Sequence, residues 1–328
     1  MNQLQKFSQI AATWNPQLSS YPTIPELAKQ GIISKTKIKK SLTKDDPTSN
    51  WLFKRTYSTG GLSVRIANQQ DLDQSLNDPL GHFERYQEGD SIAATFATFR
   101  QQQSFETRLI GVTQQLVGCP EVNASRFQYC GSIGPFVFDF DRTLEFLGQR
   151  IGETSCFHGV WGLDAVVSRG QVVPVDVNPR PTASSELFQS CFADLSQTIP
   201  NLLALHLAIH HREFGPREFH AAIDSVRSKL QEFKNAKVIL FNDKLDRQIP
   251  FDTWSKLASW FRPDFFTNVE FEGWSLADIP PCPGQSDDFL TLPSSAPILT
   301  ICLRTKDEDP QKKLVDLADK IYQFINSK

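Results

Sequence analysis

The sequence lacks the features of a membrane, nucleic-acid-binding or secreted protein. No apolar run approaches the roughly 20 residues that span a bilayer. The start, MNQLQKFSQIAATW, has neither the basic nor the apolar region of a signal peptide. A formal net charge of −3 leaves no basic surface for nucleic acid. The six cysteines include no CxxC pair, so neither a disulfide framework nor a cysteine-based zinc site is indicated. We therefore expect a cytoplasmic protein with no nucleic-acid partner and no membrane partner.

Several catalytic signatures are also missing. The P-loop pattern GxxxxGK[ST] does not occur, and neither HRD nor DFG of the protein kinases is present. His206 and His210 are spaced for one face of a helix, followed by His211, and such a pair can bind zinc. The residues between them do not form HExxH, which favours a surface or interhelical histidine pair. Cys130 has no neighbouring base in the sequence, which favours a packed cysteine over a nucleophile.

The length of 328 residues is typical of about two domains. Residues 1–50 are weakly patterned and lysine-rich between Lys29 and Lys44, so we expect a leader or a remnant there. Strand patterns begin at Trp51. We expect a main domain over 51–212 and a C-terminal accessory domain over 213–328, the latter built from KVILFN, APILTICLRT and a closing helix that starts at Asp309-Pro310.

Within the main domain, WLFK and LSVRIA read as strands on either side of a polar STGG loop, and RLIGVTQQLVG as another strand. Leu144 to Gly152 has the apolar spacing of an amphipathic helix. Residues 183–212 read as helical with a break at Pro200, and a further helix is expected over 216–233.

The strands GVWGLDAVV and QVVPVDVN are joined by Ser168-Arg169-Gly170, a short hairpin connection. Residues facing each other across it have numbers that sum to about 339, which places Asp164 opposite Asp176. Asp176 and Asn178 share one face, and Val173, Val175 and Val177 are expected on the other, core-facing side. Facing carboxylates repel unless a cation lies between them, and magnesium prefers such oxygen ligands. On the hairpin alone, a polar solvent face remains an alternative.

A second group of residues suits phosphate. In FKRTYSTGG, a strand carries Lys54, and Gly60-Gly61 follow after a short polar linker. Glycines let backbone N–H groups approach phosphate oxygens, and lysine supplies a compact positive charge. An ordinary hairpin turn is the alternative interpretation of the glycine pair.

The order WLFKRTYSTGG, ERYQEGDS, GVWGLDAVV, VPVDVNPRPTAS resembles the ATP-grasp superfamily over roughly residues 50–190. The resemblance implies an α+β fold in which two α/β lobes with antiparallel sheets grip ATP, here with a small C-terminal α/β accessory domain. LIGVTQQL, YCGSIGP and DVNPRPTASSE are most similar to a poorly characterised carboxylate–amine ligase-like group associated with pterin-linked one-carbon metabolism genes. The usual N-terminal domain of such proteins is expected to be absent or reduced.

The resemblance also implies site residues. ATP would contact the phosphate-binding lysine, the glycine-rich flap, the adenine hinge and the ribose position, which are Lys54, Ser58, Thr59, Gly60, Gly61, Glu84, Tyr86, Glu88 and Ser91. The ribose position is often acidic in the family, so Ser91 is a departure. Mg²⁺ would be bound by Asp164, Asp176 and Asn178, with Asp176 in place of the more common glutamate. Arg180 would act catalytically, near the transferred phosphate or the substrate carboxylate.

Substrate contacts are expected in two small-residue segments. The Gly131–Pro135 segment is interpreted as a loop that allows close backbone approach, with Gly131 and Ser132 as contacts. Thr182 and Ser184, in the TASSE segment after Arg180, are the other candidates.

The implied reaction is ATP-dependent activation of a small-molecule carboxylate as an acylphosphate, which an amine then attacks. Two alternatives stay open: another ATP-grasp chemistry, carboxylase-like or phosphotransferase, and a catalytically silent ATP-binding module. A homo-oligomer, or a partner chain that replaces the missing N-terminal domain, is also possible.

Overall fold

The structure is a computed structural model. It describes residues 51–55, 60–68, 81–101, 104–136, 140–191, 201–211, 214–230, 234–244, 247–250, 253, 270–275, 289–292, 297–305 and 310–326. The expected leader, Ser58, Thr59 and the break at Pro200 lie outside these residues.

A small antiparallel sheet carries the first predicted strand. It consists of β1 (Trp51–Arg55), β2 (Arg65–Ile66) and β3 (Gly81–Arg85), in the order β2-β1-β3. The predicted strand LSVRIA is thus reduced to two residues. The reason is a turn before it, in which the N–H of Val64 donates to the carbonyl of Gly61 at 3.0 Å.

A large antiparallel sheet forms the centre of the molecule. The remaining strands are β4 (Asp90–Gln101), β5 (Ser104–Val117), β6 (Tyr129–Gly134), β7 (Gly159–Ser168), β8 (Gln171–Asn178), β9 (Lys234–Phe241), β10 (Arg247–Pro250), β11 (Glu270–Ser275), β12 (Phe289–Leu292) and β13 (Pro297–Thr305). Eight of them follow the order β11-β13-β9-β6-β5-β4-β7-β8, and β10 pairs with β12.

Helices cover both faces of this sheet. They are α1 (Asp141–Ser155), α2 (Leu202–His210), α3 (Pro216–Leu230) and α4 (Pro310–Asn326), with 3₁₀ segments at Pro120–Val122 and Ala183–Cys191. Alternate residues of β4 face opposite sides: Phe96 packs with α1, and Ala97 packs with α2 and α3. The segment after residue 183, predicted to be α-helical, begins as a 3₁₀ helix.

The α+β prediction with antiparallel sheets is confirmed. Both strands predicted for the C-terminal region, found as β9 and β13, extend the same eight-stranded sheet that holds β4 to β8. The proposed boundary between residues 212 and 213 therefore lies between two helices, and strands from both sides of it belong to one sheet. In the described ranges, the helices are too short or too polar to cross a membrane.

Candidate functional site

The β7–β8 hairpin has the register that its short turn predicts. Arg169 and Gly170 both have positive φ values, 49° and 75°, as a two-residue type I′ turn requires. Asp164 pairs with Asp176, and Asn178 lies two pairs further, opposite Gly162. The two carboxylates and the amide therefore lie on one face of the hairpin.

A bulge in β8 corrects the predicted inner face. Asp164 pairs with Asp176, but the next pair is Ala165 with Pro174, which leaves Val175 as an extra residue. Val172, fully buried, and Val177 thus pack on the same cluster although they are an odd number of residues apart. The prediction that Val173 and Val175 share the core face with Val177 is wrong, because the bulge reverses the alternation between them.

Asp164 is the central carboxylate of this face. The Nε2 of Gln115 donates to its Oδ1 at 3.0 Å, and the Nδ2 of Asn178 donates to its Oδ2 at 3.2 Å. Burial, and secondly the charge of Asp176, raise the pKa of Asp164 to about 6. At neutral pH the side chain is therefore mostly ionised in a poorly hydrated position, which a bound cation would stabilise.

The donor set fits magnesium. The amide nitrogen of Asn178 is bonded to Asp164, so its carbonyl oxygen is the atom left to bind a metal. Asp176 is exposed, and its Oδ1 accepts the N–H of Val177 at 2.9 Å. No group of three or more His, Cys, Asp or Glu side chains in the described part of the chain is arranged to hold a metal. Two carboxylates and one amide oxygen match the cation that keeps several waters and substrate phosphates in its shell.

Lys54, on β1, carries the positive charge of the site. Its Nζ lies 2.5 Å from Oε2 of Glu84 on the neighbouring strand β3, and its charge also lowers the pKa of Asp164. Glu84 was assigned to the adenine hinge, and sequence reasoning missed its contact with Lys54. The two strands are adjacent, so this ion pair restricts the orientation of the lysine side chain.

The glycine turn is packed against the β5–β6 connection. Gly60 and Gly61 have φ values of 59° and 77°, and the carbonyl of Gly60 accepts the N–H of Tyr129 at 2.9 Å. A Cβ on Gly61 would lie 1.9 Å from the carbonyl oxygen of Phe127. Both the backbone conformation and this close approach require glycine.

Of the expected hinge and ribose positions, Tyr86 lies beside this turn. The ring of Tyr86 meets that of Phe127 edge-on, with centroids 6.0 Å apart. Glu88 is exposed, and Ser91 is half-buried near the start of β4, opposite Val166. The structure therefore groups Tyr86 with the glycine turn.

Gly131 and Ser132 lie in strand β6, so the loop predicted over Gly131–Pro135 is wrong for Gly131 to Gly134. A Cβ on Gly131 would lie 2.1 Å from the carbonyl oxygen of Lys237, which explains glycine at this position by close strand packing. Ser132 is fully buried, and its hydroxyl is hydrogen-bonded to that of Tyr129 at 2.9 Å.

The segment after β8 folds back over β7. The hydroxyls of Thr182 and Ser184 are 3.0 Å apart. A Cβ on Gly162 would lie 2.5 Å from Cγ2 of Thr182, so Thr182 packs next to the Asn178 end of the hairpin. Arg180 is exposed, and its Nη1 donates to the carbonyl of Pro181 at 3.1 Å. The structure brings Thr182 together with the three expected metal ligands, Asp164, Asp176 and Asn178, which we call the metal set. Arg180 lies at the surface.

A family model described as an ATP-grasp domain matches residues 21–184, which is 164 of the 328 residues. The chain belongs to the ATP-grasp family. The match starts at residue 21, within the segment set apart as a leader. No curated protein matches the chain at a significant level.

Solved structures share the ATP-grasp fold at low identity. N5-carboxyaminoimidazole synthetase from Staphylococcus aureus, complexed with ADP, is 11% identical with a TM-score of 0.53, covering 88% of this chain and 65% of that one. L-amino acid ligase from Bacillus licheniformis is 12% identical with a TM-score of 0.52, covering 83% and 62%. The biotin carboxylase domain of Hydrogenobacter thermophilus 2-oxoglutarate carboxylase, with MgADP, ADP and bicarbonate, is 10% identical with a TM-score of 0.50, covering 81% and 54%. The chain thus spans less than two thirds of these chains.

Two side chains on the sheet face that holds Asp164 were not expected from the sequence. Gln115 bonds Asp164 from two strands away, across Ala93 of the intervening strand. Lys237 on β9 is buried and pairs with Ser132 in the sheet. Gln115 lies in LIGVTQQL and Lys237 begins KVILFN, but neither segment indicates a contact of these side chains with the site. Only the pairing of distant strands brings them to the site.

Three histidines form a cluster on the face of the large sheet that holds Asp164. Their rings are not arranged to bind a metal. His210 packs between His206 and His158, with ring centroids 5.1 and 4.4 Å away. The Nδ1 of His206 accepts the N–H of Val160 at 2.9 Å, and that of His158 accepts the N–H of Arg100 at 3.2 Å. An accepting Nδ1 leaves the proton of a neutral ring on Nε2, so that Nε2 has no lone pair for zinc. Of the histidines predicted as a surface or interhelical pair, His206 is half-buried and His210 is exposed, both on α2.

Proposed function

We propose that this protein is an ATP- and Mg²⁺-dependent ligase that joins a small-molecule carboxylate to an amine. The observation that carries the proposal is the facing pair Asp164 and Asp176 with Asn178, in which a buried carboxylate has a pKa raised to about 6. A bound cation would stabilise the charged form of this poorly hydrated group at neutral pH. ADP, MgADP or both accompany two of the structures with the same fold.

The chain's own residues suit the phosphates of ATP. Lys54 lies close enough to Asp164 for their charges to interact, so a phosphate between them would meet a lysine on one side and the metal set on the other. At the glycine turn, Gly60 has no atom within 4 Å of the position of a Cβ, which leaves room for a phosphate to approach the backbone there. Arg180 is exposed, so its guanidinium group is accessible to an anionic substrate.

The proposed chemistry is phosphoryl transfer followed by acyl transfer. Bound Mg²⁺ would neutralise phosphate oxygens, and Lys54 and Arg180 would orient the transferred group. A substrate carboxylate oxygen attacks the terminal phosphorus, ADP leaves, and the acylphosphate is then attacked by an amine. No nucleophilic side chain of the protein is required, which agrees with the fully buried Cys130, whose Sγ donates to the carbonyl of Leu116 at 3.2 Å.

The first experiment is calorimetry of ATP binding with and without Mg²⁺, in the wild type and in Asp176→Ala. We expect magnesium to tighten ATP binding at least tenfold in the wild type, and much less in the variant. Asp319→Ala, which removes an exposed carboxylate on α4, is the matched control. Equal ATP affinity with and without metal in both proteins would refute the metal assignment.

The second experiment separates a ligase from the alternatives. ADP and phosphate release are followed with amino acids and pterin carboxylates as acyl donors, each with and without an amine. Release that depends on both carboxylate and amine supports the ligase. Release that depends on bicarbonate supports a carboxylase-like reaction, and silence across the panel supports an ATP-binding module without turnover.

A further inference from the structure

A buried ion pair lies outside the metal set. The side chain of Lys237 on β9 is 4% exposed, and its Nζ lies 2.6 Å from Oε2 of Glu186 and 3.1 Å from the carbonyl of Ala183. The side chain of Glu186 is 63% exposed. A buried ammonium group is costly unless it is paired, and here the pairing holds a carboxylate at the surface in one orientation.

The sheet register places this pair on the face that holds Asp164. Asp164 pairs with Ala93, and Ala93 pairs with Thr113. Two residues beyond Thr113, Gln115 pairs with Ser132, and Ser132 pairs with Lys237. Paired residues project from the same face, so one row of side chains runs from the metal set to Lys237. Its four strand spacings amount to about 19 Å.

Tyr129 connects the two ends of this row. Its hydroxyl is hydrogen-bonded to that of Ser132, and the carboxylates of both Glu186 and Asp164 act on it electrostatically. Burial, together with these charges, raises the pKa of Tyr129, so the phenol stays protonated. The carboxylates of Glu186 and Asp164 therefore both lie near Tyr129.

The group presented to a ligand is the carboxylate and not the lysine. The Nζ of Lys237 is enclosed by Glu186 and the Ala183 carbonyl, whereas most of the Glu186 side chain faces solvent. Lys237 holds one oxygen of the Glu186 carboxylate, and the other oxygen can accept a hydrogen bond from a cationic group.

We propose that Glu186, oriented by Lys237, binds the cationic amine of the second substrate; this rests on the proposed ligase function. The ammonium group hydrogen-bonds to Glu186 and transfers one proton to it. The freed lone pair attacks the carbonyl carbon of the acylphosphate, the C–N bond forms, and the C–O bond to phosphate breaks. Phosphate leaves with the electron pair and takes the second proton from nitrogen. Glu186 returns its proton to water, and Lys237 is a positioning residue.

The test compares two nucleophiles of equal size, methylamine and hydroxylamine, with the acyl donor found in the ADP-release panel. Methylamine is almost wholly an ammonium ion at neutral pH, whereas hydroxylamine is mostly uncharged. We expect Glu186→Gln to raise the KM for methylamine at least tenfold. Its rate of hydroxamate formation with hydroxylamine should change less than twofold. Glu121→Gln, at another exposed glutamate, is the matched control.

Lys237 is tested by substitution with methionine and arginine. Lys237→Met should raise the KM for methylamine with little change in kcat for hydroxylamine, and Lys237→Arg should recover most of the loss. ATP–Mg²⁺ binding by calorimetry verifies that each variant retains the ATP site.

The outcomes distinguish a failure of the proposed amine site from a failure of the proposed ligase function. If neither nucleophile yields product with any acyl donor, the ligase proposal fails, and the inference falls with it. If the wild type uses hydroxylamine but not methylamine, or if Glu186→Gln affects both equally, the ligase stands and the amine site is wrong. A lower KM for an anionic substrate in Glu186→Gln would instead make Lys237 an anion site, and would also overturn the proposal.

Discussion

The raised pKa of Asp164 predicts a pH-dependent loss of stability that the variant Asp164→Asn should remove. Carboxyl groups titrate near 3.9 in unfolded chains. In the folded protein the pKa of Asp164 is about 6, because burial and then the charge of Asp176 disfavour ionisation. Between these two pH values the folded state binds more protons than the unfolded state. The free energy of unfolding contributed by this group therefore falls as pH rises from about 4 through 6.

The magnitude follows from the difference between the two pKa values. About two pKa units at 1.36 kcal/mol each amount to about 3 kcal/mol. Asparagine cannot ionise, so Asp164→Asn should gain about 3 kcal/mol relative to the wild type between pH 4 and pH 8. The substitution also leaves one of two donors, Gln115 or Asn178, without its acceptor, at a cost of about 1–3 kcal/mol. That cost is present at every pH and cancels from the pH dependence.

The assay is urea-induced unfolding of wild type and variant at several pH values from 4.5 to 8, at constant ionic strength, without nucleotide and with a chelator. The difference in unfolding free energy between the two proteins is plotted against pH. Asp319→Asn, at an exposed position on α4, is the control, for which we expect a flat difference. A flat difference for Asp164→Asn as well would refute the raised pKa of this buried carboxyl group.

Three further predictions follow from single contacts. Gly61→Ala should destabilise the protein by at least 1–2 kcal/mol more than Gly60→Ala in thermal unfolding. Both sites have positive φ, but only a Cβ on Gly61 meets a carbonyl oxygen, at 1.9 Å; equal losses would exclude close packing as the cause. Lys54→Met should move the midpoint of the pH-dependent stability loss to higher pH, because the lysine charge lowers the pKa of Asp164; an unchanged midpoint in the same urea series would contradict this. Tyr322→Phe should lower the free energy of unfolding by about 1–3 kcal/mol in urea titrations, since the buried hydroxyl contacts three backbone groups at 2.9 to 3.1 Å; a loss below 0.5 kcal/mol would count against it.

The metal set was predictable because its geometry is local. A two-residue turn fixes the register of the hairpin, so spacing alone placed Asp164 opposite Asp176, as found. The packing of the valines was not predictable. The bulge at Val175 adds a residue to one strand, and Pro174 beside it is no clear mark of a bulge, because an edge strand such as β8 also accepts proline without one. The sequence pattern therefore predicted the polar face correctly and wrongly assigned Val173 and Val175 to the core face.

The Gly131–Gly134 segment shows the opposite case, in which a correct observation led to a wrong element. Its small residues do allow close backbone approach, but the approaching backbone is strand β9. A glycine that admits a ligand and a glycine that admits a neighbouring strand have the same local sequence. Only the pairing partner, about a hundred residues away, distinguishes them.

Long-range strand pairing also determines which residues share the face that holds Asp164. Asp164 and Asn178 come from one hairpin, whereas Lys237 reaches the face only because β9 pairs with β6. Glu186 follows the NPR motif closely enough to be carried by the same segment as Thr182, yet its orientation is fixed by Lys237. The expected metal ligands thus depend on local sequence, whereas the proposed amine end depends on β9, which lies between β6 and β13. Substitutions in β9 should accordingly alter the choice of nucleophile while they leave ATP binding intact.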